Sequence, residues 1–287
     1  MSNERPRALI TGASLGLGRA FARECASRGM DLLLVALPGS GLPELAGAIA
    51  EEQGVEADWL EADLTERQTA GRLLEMIRGK GRGLDLLVNN AGIGALGRFK
   101  DSALEEHEAT IQVNALALVR LTRLLLGEIG RRGRGYILNV ASLGAFFPMP
   151  NLPIYSATKS FVLQFSLALR AELRDSIGVS VLCPNAIRAA GAVDDYVEGL
   201  NPLARCACLR PEKIAREGLD GLVRDQAVII PGILNRALAA LGRVVPRSLA
   251  MWTISHYWGG FDEERRTDME APAKSESAVG MAKLSGL

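Results

Sequence analysis

Four cysteines and two histidines are all the thiol and imidazole chemistry this 287-residue chain contains. Cys25, Cys183, Cys206 and Cys208 are too few for a disulfide framework in a chain this long. Cys206 and Cys208 form a C-x-C pair, but no second pair accompanies them and His107 and His256 form no cluster, so no metal site is expected. Charge of one sign is missing too. Lys and Arg number 33 against 33 Asp and Glu, a formal net charge of 0 that gives no global attraction for nucleic acid or anionic lipid. No run of about 18 uncharged apolar residues occurs, which argues against a transmembrane helix. The opening MSNERPR has no apolar core of the secretory type. The expectation is a cytoplasmic, reducing setting without a nucleic-acid partner.

What the chain does contain is 48% hydrophobic residues and 31 glycines, the composition of a globular protein and not of a disordered or fibrous one. At about 150 residues per domain the length allows two domains, although an α/β sheet of about 250 residues is often a single unit. Short apolar runs at 7–10, 31–36, 55–61, 84–88, 136–140 and 179–183 read as strands. Helical patterns at 16–28, 42–53, 66–78, 104–131 and 156–176 separate them. Strands this apolar must be covered on both faces, so the predicted class is α/β: a doubly wound parallel sheet in three αβα layers. Residues 187–211 break the pattern, as a substrate lid or a plain surface loop would. The apolar stretch 228–258, interrupted by Arg236, Arg243 and Arg247, reads as an extension packing on the core or a partner, with peripheral membrane contact as the alternative. From Asp262 to the end the composition is that of a disordered tail.

The first strand runs directly into Thr11-Gly12-Ala13-Ser14-Leu15-Gly16-Leu17-Gly18. Glycines here permit a tight turn and let backbone N–H groups and a helix N-terminus approach a pyrophosphate, although glycine at such a turn also serves packing alone. Three later features change the balance. Asn89-Asn90-Ala91-Gly92 follows the fourth strand, Ser142 follows YILNV, and Tyr155-Ser156-Ala157-Thr158-Lys159 opens the next helix, thirteen residues after Ser142; Asn114 lies on the helix between. As an ordered set over 7–187, these residues resemble the short-chain dehydrogenase/reductase family.

The resemblance implies a Rossmann-like single domain over 1–261, with a lid at 188–211, and an NAD(P)(H)-dependent oxidoreductase that interconverts ketone and alcohol. It implies Asn114, Ser142, Tyr155 and Lys159 as catalytic residues. The implied cofactor-binding residues are Gly12, Ser14, Leu15, Gly16, Leu17, Gly18, Asp63, Leu64, Asn90, Ala91, Gly92, Tyr155, Lys159, Pro184 and Ile187. Lys159 would hold the nicotinamide ribose and Asn114 a water joining Lys159 to solvent. Asp63 would border the adenine, and as part of ADLTE it could equally cap a helix. A homodimer or homotetramer through helices at 104–127 and 156–174 is also implied.

The residues support this independently. Tyr155 and Lys159, four apart, share a helix face. A phenol titrates near pH ~10 and a nearby ammonium favours phenolate, so the pair is expected to bring a proton donor toward neutrality. Ser142 can hydrogen-bond the substrate oxygen. Singly, each has an ordinary explanation in packing, solvation, turn formation or local hydrogen bonding; at these spacings beside two nucleotide motifs the joint explanation prevails.

Two departures from the family pattern matter. After the second strand stands Leu37, neither the carboxylate that binds a ribose 2′-hydroxyl nor the Arg that accepts a 2′-phosphate. Absence of the carboxylate tilts the expectation to NADP(H), with NAD(H) open and Arg19 and Ser40 available to a phosphate. Where the family typically has Pro-Gly and then Thr, this chain has Pro184-Asn185-Ala186-Ile187-Arg188; Asn185 can still occupy unusual dihedrals and Ile187 can still approach the nicotinamide carboxamide. The apolar segment 143–152 favours a hydrophobic small-molecule ketone or alcohol with an acyl, steroid-like or polyketide-like body. An epimerase or dehydratase with bound cofactor, and a nucleotide-sensing interaction protein, are the rival expectations.

Overall fold

The computed structural model describes residues 5–94, 97–131, 133–187 and 202–244. Its strands are β1 (Arg7–Thr11), β2 (Asp31–Ala36), β3 (Ala57–Glu61), β4 (Leu86–Asn89), β5 (Gly135–Val140), β6 (Ile177–Leu182) and β7 (Val228–Ile229). They form one sheet in the order β3-β2-β1-β4-β5-β6-β7, parallel throughout. The order reverses between β1 and β4, the switch point at which doubly wound sheets hold ligands. The alternating side chains of DLLLVA explain why the strands look continuously apolar: Leu32 and Leu34 enter one core, Leu33 and Val35 the other.

The helices are α1 (Gly16–Ser27), α2 (Leu42–Gln53), α3 (Thr69–Gly79), α4 (Leu104–Ile111), α5 (Leu118–Leu125), α6 (Pro153–Leu173), α7 (Pro202–Ala207), α8 (Pro211–Val223) and α9 (Ile233–Val244). Between α4 and α5 the backbone widens into a π turn, Gln112–Ala117. The helix expected over 104–131 stops at Leu125, because Ile129 bridges Leu84 and Gly130, at φ 78°, donates its N–H to the Leu84 carbonyl. The third helix starts at Thr69 and not at 66, and α6 starts three residues early on Pro153, a residue suited to a first helical turn.

A correction concerns the apolar stretch 228–258. It opens with a seventh strand, β7, paired with β6, and continues into α9; it is part of the sheet architecture and not only an extension upon it. Residues 188–201 of the expected lid, 245–258 of that stretch and the expected tail at 262–287 lie outside the described residues. Among the described residues no helix is long and apolar enough to cross a membrane.

Two polar assemblies tie the layers. Thr122 of α5, Asn89 of β4, Asn139 of β5 and Ser166 of α6 form a buried chain: Asn89 Nδ2 donates to Thr122 Oγ1 and to Asn139 Oδ1, and Asn139 Nδ2 donates to Ser166 Oγ. At the amino ends of the strands, buried Arg7 pairs with Asp58, which also meets Lys80, while Arg82 bridges Asp31 and Glu56. The carboxyl ends are thereby left for the loops that carry the conspicuous motifs.

Candidate active site

The glycine turn after β1 is stapled to the loop after β4. Thr11 Oγ1 accepts the N–H groups of Asn90 and Ala91, each at 3.0 Å, and Asn90 Nδ2 donates to the carbonyls of Thr11 (2.9 Å) and Gly12 (3.2 Å). Gly12 has φ 63°, and a Cβ on Gly18 would stand 1.9 Å from the Gly12 oxygen. These two positions therefore require glycine. Ser14 and Leu17 are buried, whereas the Leu15 side chain projects outward, leaving its backbone as its contribution. The first turn of α1 has no side-chain cap and no acidic residue, so its N–H groups face open space that suits an anion; the cradle fits a dinucleotide pyrophosphate.

Asp63 does not cap α3: its Oδ1 accepts the Thr65 N–H at 2.8 Å, six residues before the helix begins. Leu64 packs against the core on the α3 side. Leu37 is 59% exposed at the end of β2. The carboxylate nearest this bend comes from the neighbouring strand, where Glu61 Oε1 accepts the Gly39 N–H at 3.0 Å. The signal for Glu61 was the strand register, which sets it beside Ala36, and register cannot be read along one chain. The Ser40 hydroxyl is buried with no partner among the described residues, and exposed Arg19 returns its Nε to the Ser14 carbonyl.

Four predicted residues converge beyond this cradle. Ser142 caps the short turn Leu143–Ala145, accepting the Gly144 N–H, and it stands near enough to the Tyr155 phenol to draw its pKa downward. Lys159, 4% exposed, donates to the Val140 carbonyl at 3.0 Å and stands 5.6 Å from the Tyr155 ring centre. Asn114 sits in the π turn: its Oδ1 accepts the Ile93 N–H and its Nδ2 donates to the Ile93 carbonyl and to Thr158 Oγ1. A Cβ on Gly92 would lie 3.0 Å from Lys159 Nζ and 3.2 Å from Asn114 Oδ1. Gly94 lies against the Tyr155 ring, where a Cβ would approach Cδ2 to 2.9 Å. Gly94 was not singled out from sequence, because nothing local marks a glycine that a tyrosine 61 residues away will cover.

The electrostatics correct one expectation. Burial holds the Tyr155 phenol above its ordinary value, against a smaller downward pull from the neighbouring Ser142 side chain. Burial also lowers the Lys159 ammonium to about 8, opposed by the neighbouring Cys183. The lowered phenol expected from Tyr155 and Lys159 is not found, because the ammonium is turned to the Val140 carbonyl and desolvation dominates both groups.

On the far side, the Pro184 carbonyl accepts the Leu143 N–H, and Ile187 bridges Leu209. Asn185 does not use the left-handed dihedrals open to an asparagine; among described non-glycine residues only Asn151 and Asp225 have positive φ. Its Nδ2 instead donates to Asn235 Oδ1, a partner fifty residues away that sequence reasoning missed. The loop that borders Ser142 is folded back by Met149, whose N–H donates to Ser156 Oγ, and by Asn151, whose carbonyl accepts the Gly97 N–H. Phe146 packs partly into the core with Ala145 and Val162. Cys206 is exposed and Cys208 buried, and among the described residues no three potential metal ligands gather.

Comparison with known proteins follows the same residues. The family model for short chain dehydrogenases matches 6–197. The very-long-chain 3-oxoacyl-CoA reductase of Anas platyrhynchos is 36% identical over 173 residues, covering 58% of this chain and 54% of that protein; the chain spans about half the length of that relative. The human 17-beta-hydroxysteroid dehydrogenase type 3 is 32% identical over 227 residues, with 72% and 73% covered. A solved short-chain dehydrogenase from Sphingobium yanoikuyae, in complex with NADPH, superposes with a TM-score of 0.71 at 33% identity over 84% of this chain and 96% of that one. With the family model matching more than half of its length, the chain belongs to the short-chain dehydrogenase/reductase family of oxidoreductases.

Proposed function

We propose that the chain transfers hydride between NADP(H) and a hydrophobic ketone or alcohol, with Tyr155 as the acid and base. The observation that carries this is the convergence of Lys159 and Asn114 on Gly92 and of Tyr155 on Gly94, with Ser142 beside Tyr155 and a turn fitted to pyrophosphate next to them. A bound nicotinamide supplies or accepts the hydride. The chain's own work is then small: hold the carbonyl carbon, exclude water and move one proton. Ser142 anchors the substrate oxygen beside the Tyr155 hydroxyl, which protonates the developing alkoxide in reduction and takes the alcohol proton in oxidation. Tyr155 held high by burial is a competent proton donor at neutral pH, and Lys159, with its pKa near 8, is suited to replenish that proton. Asn114, fixed on both sides of Ile93, keeps the π turn open next to Lys159.

NADP(H) is favoured because β2 is followed by Leu37, the Ser40 hydroxyl has no partner among the described residues, and one oxygen of Glu61 is engaged by Gly39. The relatives named for acyl-CoA and steroid substrates support an apolar substrate, as does the apolar segment after Ser142 with Leu143, Phe146 and Met149. The assay is substrate-dependent change in reduced-nicotinamide absorbance across a panel of acyl, steroid and sugar ketones. Tyr155→Phe is expected to cut turnover by about 10²-fold or more while NADPH affinity stays within a few-fold. Tighter binding of NADH than NADPH would overturn the cofactor choice, and a preference for sugars the substrate class.

A further inference from the structure

We propose that Asn235 on α9 is a positioning residue for the loop after β6, acting through Asn185; this rests on the functional reading above, with Pro184 and Ile187 of that loop among the cofactor-binding residues that the family resemblance implies. Asn235 is 1% exposed, and every polar position of its carboxamide facing a neighbour is used. Oδ1 accepts from Asn185 Nδ2 at 3.1 Å, and Nδ2 donates to the carbonyls of Ala207 (3.0 Å) and Pro231 (2.9 Å). One side chain thus joins three segments: the loop after β6, the end of α7, and the connection from β7 to α9. Only a neutral amide supplies an acceptor and two donors on one short stem; aspartate supplies no donor and leucine nothing.

The neighbours keep the amide in place. Gly232, at φ 82°, leaves room that a Cβ would take, 3.4 Å from Asn235 Nδ2 and 3.1 Å from Leu209. Its N–H donates to Glu217 of α8, and Arg236 reaches both the Ile230 carbonyl and Glu217. The amino end of α9 is therefore anchored before it touches the loop. On the loop side, the bridge between Ile187 and Leu209 runs next to the amide pair. A glycine at 185, the residue the family pattern typically has, could not reach Asn235. The chain has exchanged a flexible position for a tethered one, so that α7 and the loop 183–187 move as one body.

The test uses the full chain with Asn235→Ala, Asn185→Ala and the double variant, and two measurements. NADPH dissociation constants come from fluorescence titration, and amide hydrogen exchange at 183–187 and 205–209 is followed without dinucleotide. Each single variant is expected to weaken NADPH binding about 5- to 30-fold, and the double variant no more than the worse single one, because both delete the same contact. Exchange should rise in both segments. A variant that melts earlier but binds NADPH unchanged, or losses that add, would overturn the proposal by reducing Asn235 to a packing role. If Asn235→Ala fails to fold, Asn185→Ala removes one of the three bonds and decides the matter alone. A wild-type chain with no affinity for NADPH or NADH defeats the functional reading; unchanged exchange at 183–187 in the variants defeats the tether.

Discussion

Lys159 carries an electrostatic cost at the site, because burial disfavours its ammonium. Folded, it releases its proton near pH 8; unfolded, near the ordinary value of 10.5. Below pH 8 both states are protonated and burial of the charge destabilises the fold in full. Between pH 8 and 10.5 only the unfolded state holds the proton, so this contribution makes stability rise with pH. Lys159→Met is expected to raise the melting temperature at pH 7, by an amount worth on the order of 1–3 kcal/mol, with the gain shrinking above pH 8 while turnover is lost. A gain independent of pH would show that packing and not charge is responsible. Gly94 is a second residue-scale case: Gly94→Ala pushes Cβ against the Tyr155 ring and should lower kcat at least 10-fold while NADPH binding changes less than 3-fold. Tyr155, Lys159, Ser142 and Asn114 were legible because their spacing is written along the chain. Gly94, Glu61 and Asn235 were not, because each takes its meaning from a partner brought near only by the folded sheet.

At the scale of elements, the strands β1 to β6 were readable from apolar runs, and β7 was not. Two residues inside a long apolar stretch carry no period of their own, and only pairing with β6 makes them a strand. The π turn was hidden for a related reason: one extra residue per turn barely disturbs a helical apolar pattern, yet it is where Asn114 leaves the helix register to face Ile93. The buried chain through Thr122, Asn89, Asn139 and Ser166 holds α5 and α6 to β4 and β5. Asn139→Ala removes one bond from each neighbour, leaving Asn89 Nδ2 only Thr122 and Ser166 only the Val162 carbonyl, in a region where Asn89 Oδ1 already lacks a partner among the described residues. Chemical denaturation should show a loss of about 2–4 kcal/mol; a loss below about 0.5 kcal/mol would mean that the chain of amides tethers nothing.

Across the whole molecule, the long α4 to α5 run and α6 carry Ile111, Leu124 and Phe161, each a little under half exposed. Exposed apolar residues on these helices suit the homodimer or homotetramer that the family resemblance implies, and Phe161→Glu combined with Leu124→Glu is expected to shift sedimentation toward the monomer without altering the circular dichroism spectrum. Monomeric sedimentation of the wild type at micromolar concentration would refute it. The two ends of the sheet add a different consequence. β7 is two residues long, and β3 carries acidic Asp58 and Glu61 with basic Lys80 and buried Arg7 gathered about Asp58. A brief edge and a charged edge are poor templates for strand addition by another chain. Among the described residues, the sheet therefore keeps wide, strongly apolar faces without margins suited to seeding fibrils.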